Sequence, residues 1–265
     1  MMLEVKNISK TFNPGTINEK KALQNLSLEL KAGDFVTVIG GNGAGKSTLL
    51  NALAGVWQVD SGSIILDGKD ITALPEHKRA SDIGRVFQDP MMGTAPDMWV
   101  EENLALAARR GAKRGLRWEI SPAEREEYYE KLKGLGLGLE DRLKVKVGML
   151  SGGQRQALTL FMATLKSPKL LLLDEHTAAL DPATASKVLE ISERLICENS
   201  LTTLMITHNM RDAINHGNRL IMMNEGNIAL DISGEEKKKL TKQDLLSRFE
   251  ISAGKQEETD SLLLS

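Results

Sequence analysis

The sequence predicts an α/β fold with a mainly parallel sheet and helices on its faces. Residues 35–39 form a continuous β-branched and aromatic run, which is typical of a strand buried on both faces. A glycine-rich turn at residues 40–45 follows this run at once, and a helical pattern begins at Lys46. Later in the chain, apolar runs alternate with helical patterns, as in folds built on parallel strands.

The remaining elements follow from the same patterns. Short apolar runs bounded by turn residues predict strands at 27–30, 64–66, 83–87, 170–173 and 203–207, with a hairpin formed by 219–223 and 228–230. Helical spacing predicts helices over 46–54, 101–110, 122–132, 154–165, 183–197 and 210–216. The β signal is missing between Asp89 and Leu150, which indicates a helical insertion within a single domain of 265 residues. The polar tail from about 249 to 265 is expected to fray.

The composition excludes several classes of protein. The 34 Lys and Arg residues nearly balance the 36 Asp and Glu residues, which argues against a dedicated nucleic-acid binder. The single cysteine, Cys197, cannot form an intrachain disulfide, so a reducing compartment is favoured. No apolar run approaches the roughly 20 residues of a membrane helix, and no secretory signal is evident. We therefore expect a cytosolic chain that reaches any membrane through a partner.

The turn after the first buried strand has the spacing of a P-loop, G-x-x-x-x-G-K-[ST]. Its glycines let backbone N–H groups curl around a phosphate, and the following helix directs its positive end at the same anion. Lys46 would add charge near the β- and γ-phosphates, and the Ser47 hydroxyl could bind Mg²⁺. The predicted nucleotide-binding residues of this loop are Gly40, Gly41, Asn42, Gly43, Ala44, Gly45, Lys46, Ser47 and Thr48. Alone, the motif indicates a nucleoside triphosphatase or a kinase.

Two acids end the predicted strand at residues 170–173. Ligands of open α/β sheets bind at the carboxyl ends of the strands, so Asp174 and Glu175 are candidate site residues. Asp174 would hold Mg²⁺ through its water shell. Glu175 follows at once and points to a different side, where it could act as the general base toward an attacking water.

The run Leu150-Ser151-Gly152-Gly153-Gln154 identifies the family. With it, the sequence resembles the ATP-binding subunits of ABC (ATP-binding cassette) transporters of the importer type. Four further positions match the family's motifs in the correct order: Phe12 as the adenine-stacking aromatic, Gln88 as the glutamine loop, Asp181 as the D-loop and His208 as the switch histidine. With the P-loop, the two acids and the 150–154 signature, seven motifs appear in order, and the resemblance covers roughly residues 3 to 230.

The resemblance implies a P-loop NTPase (RecA-like) core with an N-terminal antiparallel β region. It places the helical subdomain, about residues 90–153, between the glutamine loop and the signature motif. It implies an ATPase with ATP and Mg²⁺ as cofactors, with Lys46, Glu175 and His208 catalytic. The metal contacts would come from Ser47, Gln88 and Asp174, and the nucleotide contacts would include Phe12, Gln88, Asp181 and the signature residues Ser151, Gly152, Gly153 and Gln154.

The resemblance also implies partners. Two copies would pair head to tail, so that each ATP lies between Lys46 of one copy and Ser151 of the other. A separate transmembrane permease, with an extracytoplasmic substrate-binding protein as a further candidate, would place the chain at the cytoplasmic face of the membrane. No nucleic-acid partner is expected. The substrate cannot be read from the motor, although general likeness favours a small solute such as an amino acid.

Several readings stay open at this point. Ser151 also fits a plain helix N-cap, Phe12 a core aromatic and Gln88 an ordinary loop residue. The cationic cluster Arg109, Arg110, Lys113, Arg114 and Arg117 fits a solvated helix face better than a lipid contact. His176 departs from the family, which often has proline at this position. The rival function is a soluble ABC ATPase in DNA repair or translation, and a small-molecule kinase is a third possibility.

Overall fold

The computed structural model of the chain describes residues 1–111 and 120–252. In chain order the strands are β1 (Leu3–Phe12), β2 (Lys20–Leu30), β3 (Phe35–Ile39), β4 (Ser61–Leu66), β5 (Lys69–Asp70), β6 (Ile83–Val86), β7 (Leu170–Asp174), β8 (Thr203–Ile206), β9 (Arg219–Asn224) and β10 (Asn227–Ser233). The α-helices are α1 (Lys46–Ala54), α2 (Glu76–Arg79), α3 (Val100–Ala108), α4 (Pro122–Lys133), α5 (Gly152–Thr164), α6 (Pro182–Glu198), α7 (Met210–Asn215), α8 (Gly234–Lys238) and α9 (Lys242–Ser252).

The central sheet has six strands in the order β10-β9-β3-β8-β7-β6. Every neighbouring pair is parallel except the β9–β10 hairpin. All residues of β3 and β8 are buried, because helices cover both faces of a parallel sheet. The predicted parallel α/β core is confirmed, and β3, β8 and β7 lie side by side.

A second, antiparallel sheet has the order β2-β1-β4-β5 and confirms the expected N-terminal β region. Sequence analysis found only the last residues of β2, and the reason lies in the pairing. The β1–β2 ladder shifts register three times, and Asn7 and Asn25 have left-handed backbones. These irregularities break the alternation of polar and apolar residues on which strand prediction depends.

The apolar core has two main parts on opposite faces of the parallel sheet. One contains residues of the antiparallel sheet together with α1, for example Leu49, Leu50 and Leu53. The other contains residues of α3, α5 and α6, with Leu104, Leu158 and Leu160 among its fully buried side chains. A third cluster lies under the C-terminal helices and includes Leu245.

The segment between β6 and β7 carries α3, α4, α5 and the two 3₁₀ helices Glu140–Arg142 and Val147–Met149. Among its described residues, the one β-type contact before residue 153 is an isolated bridge between Trp99 and Lys146. The subdomain boundaries remain a prediction. At the C-terminus, α9 extends to Ser252 and is anchored through Leu245, which is fully buried. The frayed tail expected from about 249 stays a prediction. The rest of the predicted tail lies outside the described residues.

A buried arginine fixes the far end of α1, the helix that begins at the P-loop. The Arg79 side chain is 2% exposed and donates hydrogen bonds to four backbone carbonyls. Its Nη1 binds the oxygens of Ala52 and Leu53 at 2.8 Å each, its Nε binds that of Leu74 at 2.7 Å and its Nη2 binds that of Thr72 at 2.9 Å. The last carbonyls of a helix have no partner within it, so Arg79 satisfies groups that burial would otherwise penalise.

We predict that Arg79→Met lowers the free energy of unfolding by about 3 kcal/mol, because several buried carbonyls lose their donors. Urea denaturation measures the change. The matched control is Lys78→Met, since Lys78 is the exposed neighbour on the same helix. Equal stabilities of the two variants would contradict the capping role.

Candidate nucleotide site

Three neighbouring strands deliver the candidate catalytic residues to one edge of the sheet. The P-loop follows β3, Asp174 ends β7 and Glu175 follows it, and His208 lies two residues beyond β8. One pocket has a lining that combines residues 42–48 of the P-loop with Lys20, Ala22, Glu175 and His208. The structure therefore brings together the three side chains predicted to be catalytic, Lys46, Glu175 and His208.

The P-loop backbone depends on glycine at two positions. Gly45, which precedes α1, has a φ of 100°, and a Cβ there would lie 2.5 Å from the carbonyl oxygen of Ala22. Gly40 is buried, and its Cβ would lie 2.3 Å from the carbonyl oxygen of Met223. Any larger residue would push the loop away from β2 or β9, so both glycines are needed for the observed path.

Lys46 is the first residue of α1, and its side chain turns back into the loop. It is 6% exposed, and its Nζ donates to the carbonyl oxygens of Gly40 at 2.7 Å and Gly41 at 3.1 Å. Ser47 and Asn42 are exposed, and Thr48 is half-buried. The loop thus presents backbone N–H groups, a hydroxyl and a cation at the positive end of α1, which together favour a phosphate.

The first acid, Asp174, is half-buried at the end of β7. Burial raises the pKa of its carboxyl group, while the guanidinium of Arg85 on β6, 3.6 Å away, acts in the opposite direction. Arg85 itself lies over the ring of Phe87 at 4.4 Å. The nearby cations Arg85 and Lys46 favour the ionised form of Asp174, which is the form that binds a metal.

The second acid, Glu175, points at His208, the predicted switch histidine. Its Oε1 lies 2.5 Å from Nε2 of His208, and its side chain is 12% exposed against 40% for His208. A carboxylate can only accept, so Nε2 of His208 carries the proton of this contact. Glu175 has a left-handed backbone with φ of 45°, which is uncommon outside glycine and asparagine and typical of strained functional positions.

His176, where the family often has proline, is packed inside the molecule. It is 2% exposed, and its Nε2 lies 2.9 Å from Oγ of Ser192 on α6. The Ser192 hydroxyl donates to the carbonyl oxygen of Val188, so Nε2 of His176 is the donor to Ser192. Burial lowers the pKa of His176 to about 4. A neutral, hydrogen-bonded histidine therefore ties the residue after Glu175 to α6.

The signature residues begin α5 at a different place. Ser151 is the N-cap and accepts from the backbone N–H of Gln154 at 3.3 Å, while the side chain of Gln154 accepts from the N–H of Ser151. Gly152 is exposed, whereas Gly153 is buried, and a Cβ there would lie 2.2 Å from Thr184. None of these four residues is among the described residues that line the P-loop pocket. The N-cap reading of Ser151 is correct in this chain.

Arg155, directly after the signature, binds the loop that precedes it. Its guanidinium donates to the carbonyl oxygens of Val147 at 3.3 Å, Gly148 at 3.0 Å and Leu150 at 2.9 Å. Its Nη1 also lies 2.9 Å from the sulfur of Met91, three residues after Gln88. One side chain thus joins the signature loop to the segment that follows the glutamine loop.

Besides the signature residues, six predicted residues are not among the described residues that line the pocket: Phe12, Gly40, Gly41, Gln88, Asp174 and Asp181. Phe12 ends β1 half-buried, with its ring edge to face with that of Trp57 at 4.8 Å. Gln88 is exposed in the bend after β6. Asp181 is the exposed N-cap of α6, where the hydrogen bonds of its carboxylate with Thr184 lower its pKa.

The cationic cluster is only partly described. Arg109 pairs with Glu124 at 3.2 Å, and half-buried Arg110 donates to the carbonyl oxygen of Ala163 at 3.2 Å. These two side chains have partners within the protein, and that of Arg109 is still 37% exposed, so the solvated face stays a prediction for the cluster as a whole. The other three members, Lys113, Arg114 and Arg117, lie outside the described residues.

Sequence reasoning missed two residues that line the pocket, Lys20 and Ala22 of β2. It also missed Arg85 beside Asp174, and the packing of His176 against Ser192. The pairing of β2 with β1 and its position beside the P-loop place the first two, and no motif contains them. The only sequence signal for Arg85 is a charged residue inside a buried strand, which calls for a nearby acid.

A phosphate cradle after β3, two acids at the end of β7 and a histidine after β8, the strand between them, define the site of a P-loop ATPase. Comparison with known proteins identifies the family of P-loop ATPases to which the chain belongs. The ABC transporter family matches residues 23–178, more than half of the chain. The chain belongs to this family, and with it to the ATPases whose ATP hydrolysis powers transport.

Individual relatives agree with this assignment. The tyrosine transport ATP-binding protein of Clostridioides difficile is 47% identical over 95% of this chain and 100% of its own length. A spermidine/putrescine import ATP-binding protein of Haemophilus influenzae is 35% identical over 89% of this chain, which spans 59% of that relative's length. Among solved structures, a dimeric ATP-binding cassette bound to ADP and Pi has a TM-score of 0.74 and 30% identity, covering 88% of this chain and 98% of its own.

Within the described part of the chain, no helix has both the length and the apolar character needed to cross a membrane.

We predict that stability falls as the pH decreases from 6.5 to about 4, in part because of His176. The unfolded chain binds a proton on this side chain in that window and the folded chain does not, so acid favours unfolding. The contribution amounts to about 3 kcal/mol. Urea denaturation at a series of pH values should give a flatter curve for His176→Gln than for the wild type. Exposed His77→Gln is the control and should keep the wild-type slope; parallel curves for all three proteins would contradict the prediction.

Proposed function

We propose that the chain is the ATP-hydrolysing subunit of an importer that carries a small solute, of the amino-acid type, through a separate permease. The observation that carries this proposal is the pocket that combines Lys46 with the Glu175–His208 pair. The relative that this chain matches over its full length is named for tyrosine transport, and another for methionine import. Tyrosine or a related amino acid is the first substrate to test.

Mg²⁺ is the proposed metal, and the residues fit it. The Ser47 hydroxyl is exposed in the pocket, and Asp174 directly precedes a pocket residue and keeps cationic neighbours. Both offer oxygen ligands, which Mg²⁺ prefers, together with substrate phosphates and water. Gln88 would contribute its amide oxygen on reorientation of its loop. When bound, the metal would neutralise charge on the β- and γ-phosphates.

The chemistry assigned to this chain's residues is hydrolysis of the terminal phosphoanhydride. Glu175 would accept a proton from water as the water oxygen forms a bond to the γ-phosphorus, and the bond from that phosphorus to the β-phosphate oxygen breaks to leave ADP and phosphate. Lys46 would stabilise the charge that develops on the phosphate oxygens. His208, a proton donor to Glu175 here, is placed to turn its N–H to the γ-phosphate.

A second copy of the chain is the proposed partner for the nucleotide. Ser151 and Gly152 are exposed at the N-terminus of α5, and they lie outside the described lining of the P-loop pocket. An ATP in that pocket would gain their N–H groups and hydroxyl only from another chain placed head to tail. The dimeric cassettes among the structural relatives support this arrangement.

The permease is proposed to dock beside the glutamine loop. Four large apolar side chains are exposed there: Met91 (37%), Met92 (70%), Trp99 (42%) and Met149 (74%). Arg155 and the contact of Gly148 with Pro96 bring their segments together. Methionine-rich surfaces of this kind adapt to an apolar helix. Docking would hold the chain at the cytoplasmic face of the membrane, and an importer could also use an extracytoplasmic substrate-binding protein.

We predict that Glu175→Gln lowers ATP turnover at least about a hundred-fold, since the amide cannot accept the proton of the attacking water. ATP affinity should change little, and nucleotide-dependent dimers should accumulate. Phosphate release and size-exclusion chromatography with ATP measure the two effects. Glu198→Gln, an exposed acid on α6, is the matched control and should behave as wild type. Unchanged turnover in the Glu175 variant would overturn its assignment as the base.

The proteins that co-purify with the chain distinguish transport from the alternative, a soluble ABC ATPase in DNA repair or translation. A membrane permease that co-purifies with the chain supports transport, whereas ribosomes or DNA would support a soluble role in translation or DNA repair. All relatives named above act in transport or import, so no comparison favours that alternative.

A further inference from the structure

One cationic side chain in the nucleotide pocket belongs to none of the sequence motifs. Lys20 is the first residue of β2, yet it lines the pocket together with the P-loop. Its Nζ lies 3.2 Å from the point that a Cβ on Gly43 would occupy. The ammonium group therefore stands directly against the phosphate-binding backbone.

The strand pairing explains why Lys20 faces this way. Lys20 pairs with Phe12 on β1, and Lys21 pairs with Thr11. Because these two lysines pair with successive residues of β1 and no register shift separates them, their side chains point to opposite faces of the sheet. Ala22 also lines the pocket, and Lys21 is not among the described residues that do. The start of β2 thus directs Lys20, and not its neighbour Lys21, at the P-loop.

The two lysines of the pocket differ in what they bind. Lys46 is buried and donates to the carbonyls of Gly40 and Gly41. Lys20 is exposed, and within residues 1–111 and 120–252 its Nζ makes no hydrogen bond and no ion pair. A solvated ammonium at the mouth of a polyanion site gains a charge-assisted hydrogen bond as soon as the anion enters.

Gly43 keeps this approach open. Its φ of 80° already favours glycine, and any side chain there would stand in contact with the Lys20 ammonium. With no Cβ in the way, the ammonium lies beside the loop backbone at residue 43.

We propose that Lys20 is a binding residue for the triphosphate of the nucleotide and a second lysine ligand entering the cradle from β2. It donates to non-bridging phosphate oxygens and makes no contact with the base, so it contributes affinity and leaves the hydrolytic step to Glu175. The proposal rests on the nucleotide site described above and adds a ligand to it.

The experiment measures dissociation constants of the full chain for ATP, ADP and adenosine by isothermal titration calorimetry. The variants are Lys20→Ala, Lys20→Arg and the matched control Lys21→Ala, whose side chain starts from the other face of the same strand. Lys20→Ala should bind ATP about five-fold more weakly, the upper range for one exposed charge pair. Lys20→Arg should recover most of that loss, and Lys21→Ala should bind as wild type.

Two further measurements test whether Lys20 acts on the phosphates. The dissociation constant for adenosine should be the same in all variants, because adenosine has no phosphate. The ATP affinity of the wild type should also fall more steeply with salt than that of Lys20→Ala, which has lost a screened attraction. Urea denaturation confirms that each variant is folded.

The outcomes separate this proposal from the assignment of the site. If wild type binds ATP, Lys46→Ala abolishes binding, and Lys20→Ala equals Lys21→Ala, the site is correct and the role of Lys20 is wrong. An equal loss for ATP and adenosine would also overturn it, since it would place Lys20 on the nucleoside. If wild type binds no ATP, the nucleotide site itself is refuted and the role of Lys20 with it.

Discussion

The site depends on the backbone ladder that holds β8 between β3 and β7. Val38 pairs with Ile206 on one side of β8, and Asp174 pairs with Ile206 on the other. Because the three strands are parallel and in register, their carboxyl ends lie at the same edge of the sheet. The P-loop, Glu175 and His208, which follow these ends, therefore lie close together. A shift of β8 by one residue would turn the His208 segment to the opposite face and separate the pair from the P-loop.

Polar side chains with hydrogen-bond partners on other segments connect the elements around the site. Arg79 holds the carbonyls at the end of α1, and His176 binds Ser192 next to Glu175. Arg155 draws the loop before Ser151 toward Met91. Hydrogen bonds are directional, so each of these side chains fixes the position of an element that carries a predicted site residue. Nucleotide, partner chain and permease would thus contact segments that are already connected.

The sequence predicted the parallel core and the catalytic set because both depend on local signals. A buried apolar run, a glycine-rich turn and acids at a strand end are each visible within a few residues, and their order along the chain identifies the family. It could not place Lys20 or Ser192, since these act through partners in strand pairing or helix packing that lie far away in sequence. The register shifts between β1 and β2 broke the sequence pattern that would have predicted most of β2. Helix α9 was not predicted, because its buried residue Leu245 lies within a largely polar segment.

The central claim is that two chains complete each nucleotide site, one giving Lys46 and the other Ser151. Its most direct test mixes two separately inactive variants, Lys46→Ala and Ser151→Arg, and measures ATP turnover. In a mixed dimer, one site would contain the intact Lys46 of the second variant and the intact Ser151 of the first. Turnover of the mixture should therefore rise well above that of either variant alone. A mixture that stays at the level of its inactive components would contradict the account.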